Sequence, residues 1–156
     1  MLMNYKLKMS FTVMLVAFVL VLSGCSQNSS VAGVSKIKAV VYKSPNCGCC
    51  VKHVSYLKEN GFDVDIVLVD DMESIKQKYE IPPEMESCHT TIVGNYFIEG
   101  HVPIEAIDKL LLEQSDIDGI ALPGMPSGSP GMPGIKRGSF DIQAVSEGTT
   151  SDFISI

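Results

Sequence analysis

Apolar and polar positions change rhythm several times along this chain. Phe11 to Leu22 is apolar except for Thr12, a run too short for the roughly 20 residues that a membrane-spanning helix needs. After a polar stretch, Ile37 to Tyr42 is mostly apolar and rich in β-branched residues, which predicts a buried strand. Val51 to Asn60 carries Val51, Val54, Tyr56 and Leu57 toward one side and ends before Gly61, as a helix with a left-handed cap does. Phe62 to Val69 alternates acidic and apolar residues before turning wholly apolar, which predicts a second strand. Met72 to Tyr79 predicts a short helix stopped by Pro82-Pro83. Thr90 to Val93 and Tyr96 to Glu99 read as two strands of a hairpin turned by Gly94-Asn95. Pro103 opens a helix to about Gln114, with Ile104, Ile107, Leu110 and Leu111 on its core side.

The resulting order, β-α-β-α-β-β-α, fits an α/β thioredoxin-like layout: a mixed four-stranded sheet with flanking helices. Residues 119–138 hold six Gly and four Pro and read as neither helix nor sheet. Ser139 to Val145 and Asp152 to Ile156 could form short terminal strands. The domain is therefore expected over residues 36–118, with an irregular Gly/Pro-rich extension over 119–156 packing on it.

The start of the chain reads as an address. Lys6 and Lys8 precede the apolar run, which closes on Leu22-Ser23-Gly24-Cys25, the pattern of a bacterial lipoprotein signal. Residues 1–24 would be removed, Cys25 acylated, and residues 25–35 left as a Ser/Asn-rich tether. That places the protein in the cell envelope, anchored by lipid and facing the periplasm or the exterior. The formal charge of −6, with no basic cluster, argues against nucleic-acid binding. Asp63, Asp65, Asp70, Asp71 and Glu73 read as a solvated edge rather than a hard-metal loop. Nothing resembling a hydrolase triad or a phosphate-cradling loop stands out.

Setting Cys25 aside leaves four of the five cysteines: Cys47, Cys49, Cys50 and Cys88. Cys47-Gly48-Cys49-Cys50 falls where a strand gives way to a helix, and a helix N-terminus stabilises thiolates. A helical crossover makes the first two strands parallel, and the third is expected to run antiparallel to the first. Cys88-His89, just before the third strand, should then reach the same sheet edge as the cysteine cluster. The hairpin returns Gly100-His101 to that edge as well. His53, four positions after Cys49, reads as a surface residue rather than a ligand. Met125 and Met132 in the extension could add a thioether over the site.

Four segments together resemble one family: Tyr42 to Cys50, Ser87 to Thr90, Ile98 to Pro103, and Leu122 to Met132. It is the CopG-like family of periplasmic copper-binding proteins, formerly a domain of unknown function, associated with bacterial copper-resistance operons. The resemblance covers about residues 37–145. It implies a thioredoxin-like fold that binds copper through Cys47, Cys49, Cys50, Cys88 and His89, with a role in copper resistance or copper redox handling. Other copper-handling envelope proteins would be its partners. Where thioredoxins carry a proline before the third strand, this chain has Cys88-His89, which favours metal over polypeptide substrate.

Sulfur-rich donor sets with imidazole suit Cu(I), singly or as a thiolate cluster, and Zn²⁺ is the competing ion. Two other readings use the same residues. The first is a thiol–disulfide oxidoreductase with Cys47 as nucleophile and Cys50 as resolving thiol. The other is a domain stapled by two disulfides.

Overall fold

The computed structural model describes residues 36–156. The leader, the lipidation residue Cys25 and the tether to residue 35 lie outside the described residues. The chain runs β1 (Ile37–Lys43), α1 (Gly48–Glu59), β2 (Phe62–Leu68), α2 (Met72–Lys78), a 3-10 turn (Pro83–Met85), β3 (His89–Val93), β4 (Tyr96–Gly100) and α3 (Ile104–Glu113). Then follow β5 (Gly119–Leu122), β6 (Asp141–Ser146) and β7 (Thr149–Ser155).

All strands join one sheet in the order β2-β1-β3-β4-β5-β6-β7. The α/β thioredoxin-like arrangement expected from the sequence is present, but the sheet has seven strands rather than four. β1 and β2 are parallel, β1 and β3 antiparallel, and β3 and β4 form the hairpin with Val93 opposite Tyr96. Gly94 has φ +59°, which suits the first central position of a two-residue type II′ turn. α3 then carries the chain back to a parallel pairing of β5 with β4, so part of the extension belongs to the sheet. β6 and β7 are joined at Glu147-Gly148, both at positive φ, the backbone that a type I′ hairpin turn requires.

Alternation along the strands divides the core. Ile98 and Ile120 pack with Val54 and Leu57 of α1 and with Ile107 and Leu110 of α3. Their neighbours Phe97 and Ala121 face the other way, against Ile81, Met85 and Val145. Each fully buried Leu or Ile stabilises the fold by about 1.5–3 kcal/mol through apolar burial. Among the described residues, no helix is long and apolar enough to cross a membrane.

The register fixes the functional edge. Lys43, the last residue of β1, lies opposite His89, the first of β3. Thr90 lies opposite Glu99, so β4 ends at Gly100 beside the start of β3. The loop after β1, the start of β3 and the end of β4 therefore share one rim, as the strand order predicted.

Candidate metal centre

Cys47 is the N-cap of α1, and its sulfur accepts from the Cys50 N–H at 3.3 Å. Helix α1 thus begins three residues earlier than its apolar rhythm suggests, and Cys49 and Cys50 lie in its first turn. There the free N–H groups and the helix dipole favour negative sulfur. Cys47 and Cys50 are joined as a disulfide with their Cα atoms 5.4 Å apart, while Cys49 and Cys88 are free thiols. The Cys49 sulfur is 3.4 Å from that of Cys47 and 3.9 Å from that of Cys88. Cys88 lies 3.5 Å from the Cys50 sulfur. All four sulfurs fall within 4.8 Å of one another.

Cys88 belongs to a second group. Its sulfur lies 3.3 Å from His89 Nδ1 and 3.2 Å from His101 Nε2. The hydrogen-bond partners behind the imidazoles assign their tautomers. The Val102 carbonyl can only accept, so His53 Nε2 carries the proton that reaches it at 3.3 Å. His53 Nδ1 must then accept from His89 Nε2–H at 2.9 Å, which leaves His89 Nδ1 as a lone pair facing Cys88. His101 Nδ1–H donates to the Pro130 carbonyl at 2.7 Å, so its Nε2 also faces Cys88 as a lone pair. All three rings are fully buried. Burial lowers the pKa of each below the usual histidine value: His53 to about 4, His89 well below it, and His101 in the same direction. They are neutral at pH 7.

Burial and the adjacent Cys49 sulfur push the Cys88 thiol up to about 12. One S–H proton thus faces two imidazole lone pairs. A soft cation that displaced this proton would satisfy the sulfur and both nitrogens together, so the donor set fits a metal better than it fits itself. As a neutral thiol, Cys88 is a weak nucleophile.

The extension forms one wall. A Cβ added at Gly131, whose φ is +86°, would lie 2.7 Å from His53 N and 3.0 Å from Cys49 O. Only a glycine lets the backbone approach α1 this closely, and that approach carries the Pro130 carbonyl to His101. Met125 is 42% exposed, while Met132 is half-buried directly after Gly131.

The structure gathers Cys47, Cys49, Cys50, Cys88, His89 and His101 at one rim. Treating His53 as a surface residue proves incorrect: it is fully buried behind His89. The signal was its spacing, since Cys50, His53, Val54 and Leu57 form the buried side of α1. A buried ion pair between Lys76 and Glu99, 2.5 Å apart, also lies beneath Cys88-His89 and had no sequence signature. The acidic residues of β2 and the next turn are exposed, and Asp71 caps α2.

Comparison with known proteins divides the site in two. A family model for glutaredoxin matches residues 39–81, which hold the C-x-C-C cluster. A second, described as a protein of unknown function, DUF411, matches residues 85–132, which hold Cys88, His89 and His101. Two solved structures of copper resistance protein CopG align with both segments together. Form 2 is 36% identical, with a TM-score of 0.72, over 78% of this chain and 98% of the other. Form 1 is also 36% identical, with a TM-score of 0.71 and the same coverage. No curated protein matches the chain.

Proposed function

This chain belongs to the family of CopG copper resistance proteins, and from that premise we propose that it holds copper, as Cu(I), at the cysteine–histidine rim. The observation that carries this reading is the position of Cys88. Its sulfur is within 3.9 Å of Cys49 and Cys50 on one side and within 3.3 Å of two imidazole lone pairs on the other. Copper is the cargo here. Cys47, Cys49, Cys50 and Cys88 would supply thiolates, and His89 and His101 neutral imidazole. A thiolate shared between two donor groups suits a small Cu(I)–thiolate cluster. Zn²⁺ would accept three or four of these donors, but the adjacent Cys49-Cys50 pair fits poorly with the spaced cysteines of ordinary zinc sites.

The chain's own residues determine when the site can load. In the disulfide form, Cys47 and Cys50 cannot bind as thiolates, so only Cys49, Cys88 and the imidazoles are ready donors. Reducing the disulfide, with two electrons and two protons, restores all four thiols. Copper resistance or copper redox handling in the envelope is the role this chemistry serves. Copper-handling proteins of the envelope would exchange the ion with it. We place the protein outside the cytoplasm, lipid-anchored at Cys25, on the leader and cysteine pattern of residues 1–25.

The test is an anaerobic Cu(I) titration of reduced protein against a competing chelator, with a parallel Zn²⁺ titration. Tight uptake of more than one copper per chain supports the cluster, and no uptake against a weak chelator defeats the proposal. Reversible oxidation in a voltammogram of the loaded protein would support redox handling; its absence limits the role to storage or transfer.

A second reading has a specific observation behind it: the Cys47–Cys50 disulfide stands at a helix N-terminus, the setting of a thiol–disulfide oxidoreductase. Insulin reduction by metal-free protein, lost in Cys47→Ser, would favour it.

A further inference from the structure

Glu99 lies on β4, fully buried, on the opposite face of the sheet from the histidines. Its Oε1 accepts from the Ser87 N–H at 2.6 Å and from Lys76 Nζ at 2.5 Å. Its Oε2 accepts from the Thr90 hydroxyl at 2.7 Å, and Lys76 Nζ also donates to Thr90 Oγ1 at 2.8 Å. Ser87 and Thr90 are the residues immediately before and after Cys88-His89. Both ends of this dipeptide are therefore tied to a single carboxylate.

Residues 86–88 precede β3 and lack its ladder, so the Ser87 N–H has a side-chain acceptor in place of a strand partner. Gly100 completes the seat: a Cβ there would lie 2.7 Å from Ser87 Oγ. Replacing a buried ion pair by well-packed apolar residues is often neutral or stabilising, so stability alone does not account for this one.

We propose that Glu99, held by Lys76, is a positioning residue that clamps Cys88-His89 so that the Cys88 sulfur and His89 Nδ1 meet the cysteine cluster. This rests on the metal-binding reading above. Donors held by a second layer of hydrogen bonds keep their geometry without the ion, and losing such partners typically weakens metal binding about 10–100-fold.

The decisive variant is the double replacement Lys76→Met with Glu99→Leu in the full chain, which keeps apolar volume and removes the clamp. Thr90→Val and its conservative partner Thr90→Ser provide a milder pair should the double variant fail to fold. Two quantities are read: amide hydrogen exchange at Ser87 and Cys88 in metal-free protein, and Cu(I) affinity by chelator competition. The double variant is expected to exchange the Ser87 amide roughly tenfold faster or more, the effect of losing a charge-assisted bond. It should also hold Cu(I) about 10–100-fold more weakly. Thr90→Val should shift both in the same direction, and Thr90→Ser should restore them. In a Cys88→Ala, His89→Ala background, removing the clamp should leave the residual Cu(I) affinity unchanged.

Unchanged Ser87 exchange in the double variant, or in Thr90→Val if only that folds, would overturn the proposal. So would a loss of Cu(I) affinity that is just as large without Cys88 and His89. If unmodified protein takes up no Cu(I), the metal reading fails, while the exchange data still decide whether the clamp exists.

Discussion

Gly131→Ala tests whether the extension is part of the site. The substituted residue must hold φ near +86°, a backbone region that costs an L-residue about 1–2 kcal/mol. Its Cβ would also lie 2.7 Å from His53 N, where ordinary contact begins at 3.4 Å. The helix backbone is held by its own ladder, so the extension around Gly131 must retreat by roughly 0.7 Å, an overpacking cost of about 1–3 kcal/mol. Carried to the neighbouring residue, that retreat stretches the 2.7 Å bond from His101 Nδ1 to the Pro130 carbonyl to roughly 3.4 Å, beyond useful length. Gly138→Ala is the control, because Gly138 has φ +80° with nothing within 4 Å of an added Cβ. Both variants bear the backbone cost; only Gly131→Ala bears the contact. Calorimetry should show Gly131→Ala melting below the control by about 4 °C for each kcal/mol of contact cost. Chelator competition should show it holding Cu(I) about 10–100-fold more weakly than the control. Equal copper affinity in the two variants would refute the idea that the extension seats His101 through Pro130.

Three further outcomes follow from the same geometry. Cys88→Ala should weaken Cu(I) binding more than Cys49→Ala in chelator competition, because Cys88 alone belongs to both donor groups. Metal-free protein should lose stability on acidification between pH 6.5 and about 4, measured by urea melts at stepped pH. The unfolded chain takes up protons there while buried His53 does not, and that group alone withdraws about 3 kcal/mol by the lower end. Lys76→Ala should destabilise the fold by about 3–5 kcal/mol by stranding Glu99 without its partner, seen as a lower urea midpoint with unchanged slope.

Much of this site was legible because it depends on strand direction. Once Ile37 to Tyr42 and Thr90 to Val93 read as strands separated by a helical crossover and a short helix, antiparallel pairing of β1 with β3 brought Cys88 to the cysteine cluster. The hairpin did the same for His101. β5 carries little signal in the sequence because Gly119-Ile120-Ala121-Leu122 is four residues long and opens a segment dominated by Gly and Pro. Its Gly119 is required by close packing, since a Cβ there would meet the Phe97 carbonyl at 2.2 Å. The start of α1 was also hidden, because three cysteines and a glycine carry no helical rhythm. His53 reads as exposed because a polar side chain on a helix usually faces water, and only its place among Cys50, Val54 and Leu57 signals burial. Lys76 and Glu99 pair across 23 residues, a distance over which local sequence holds no information.

The donors of the proposed copper site lie at two depths. Cys47 and Cys49 are partly open to solvent, whereas His89 and His101 are sealed. The segment between β5 and β6, whose Pro130 carbonyl accepts from His101, is held in the sheet at both ends. If the rim holds copper as proposed, an ion entering from solvent meets sulfur before nitrogen. On that reading, whatever removes the ion reaches the outer sulfurs of Cys47 and Cys49 before the sealed imidazoles of His89 and His101.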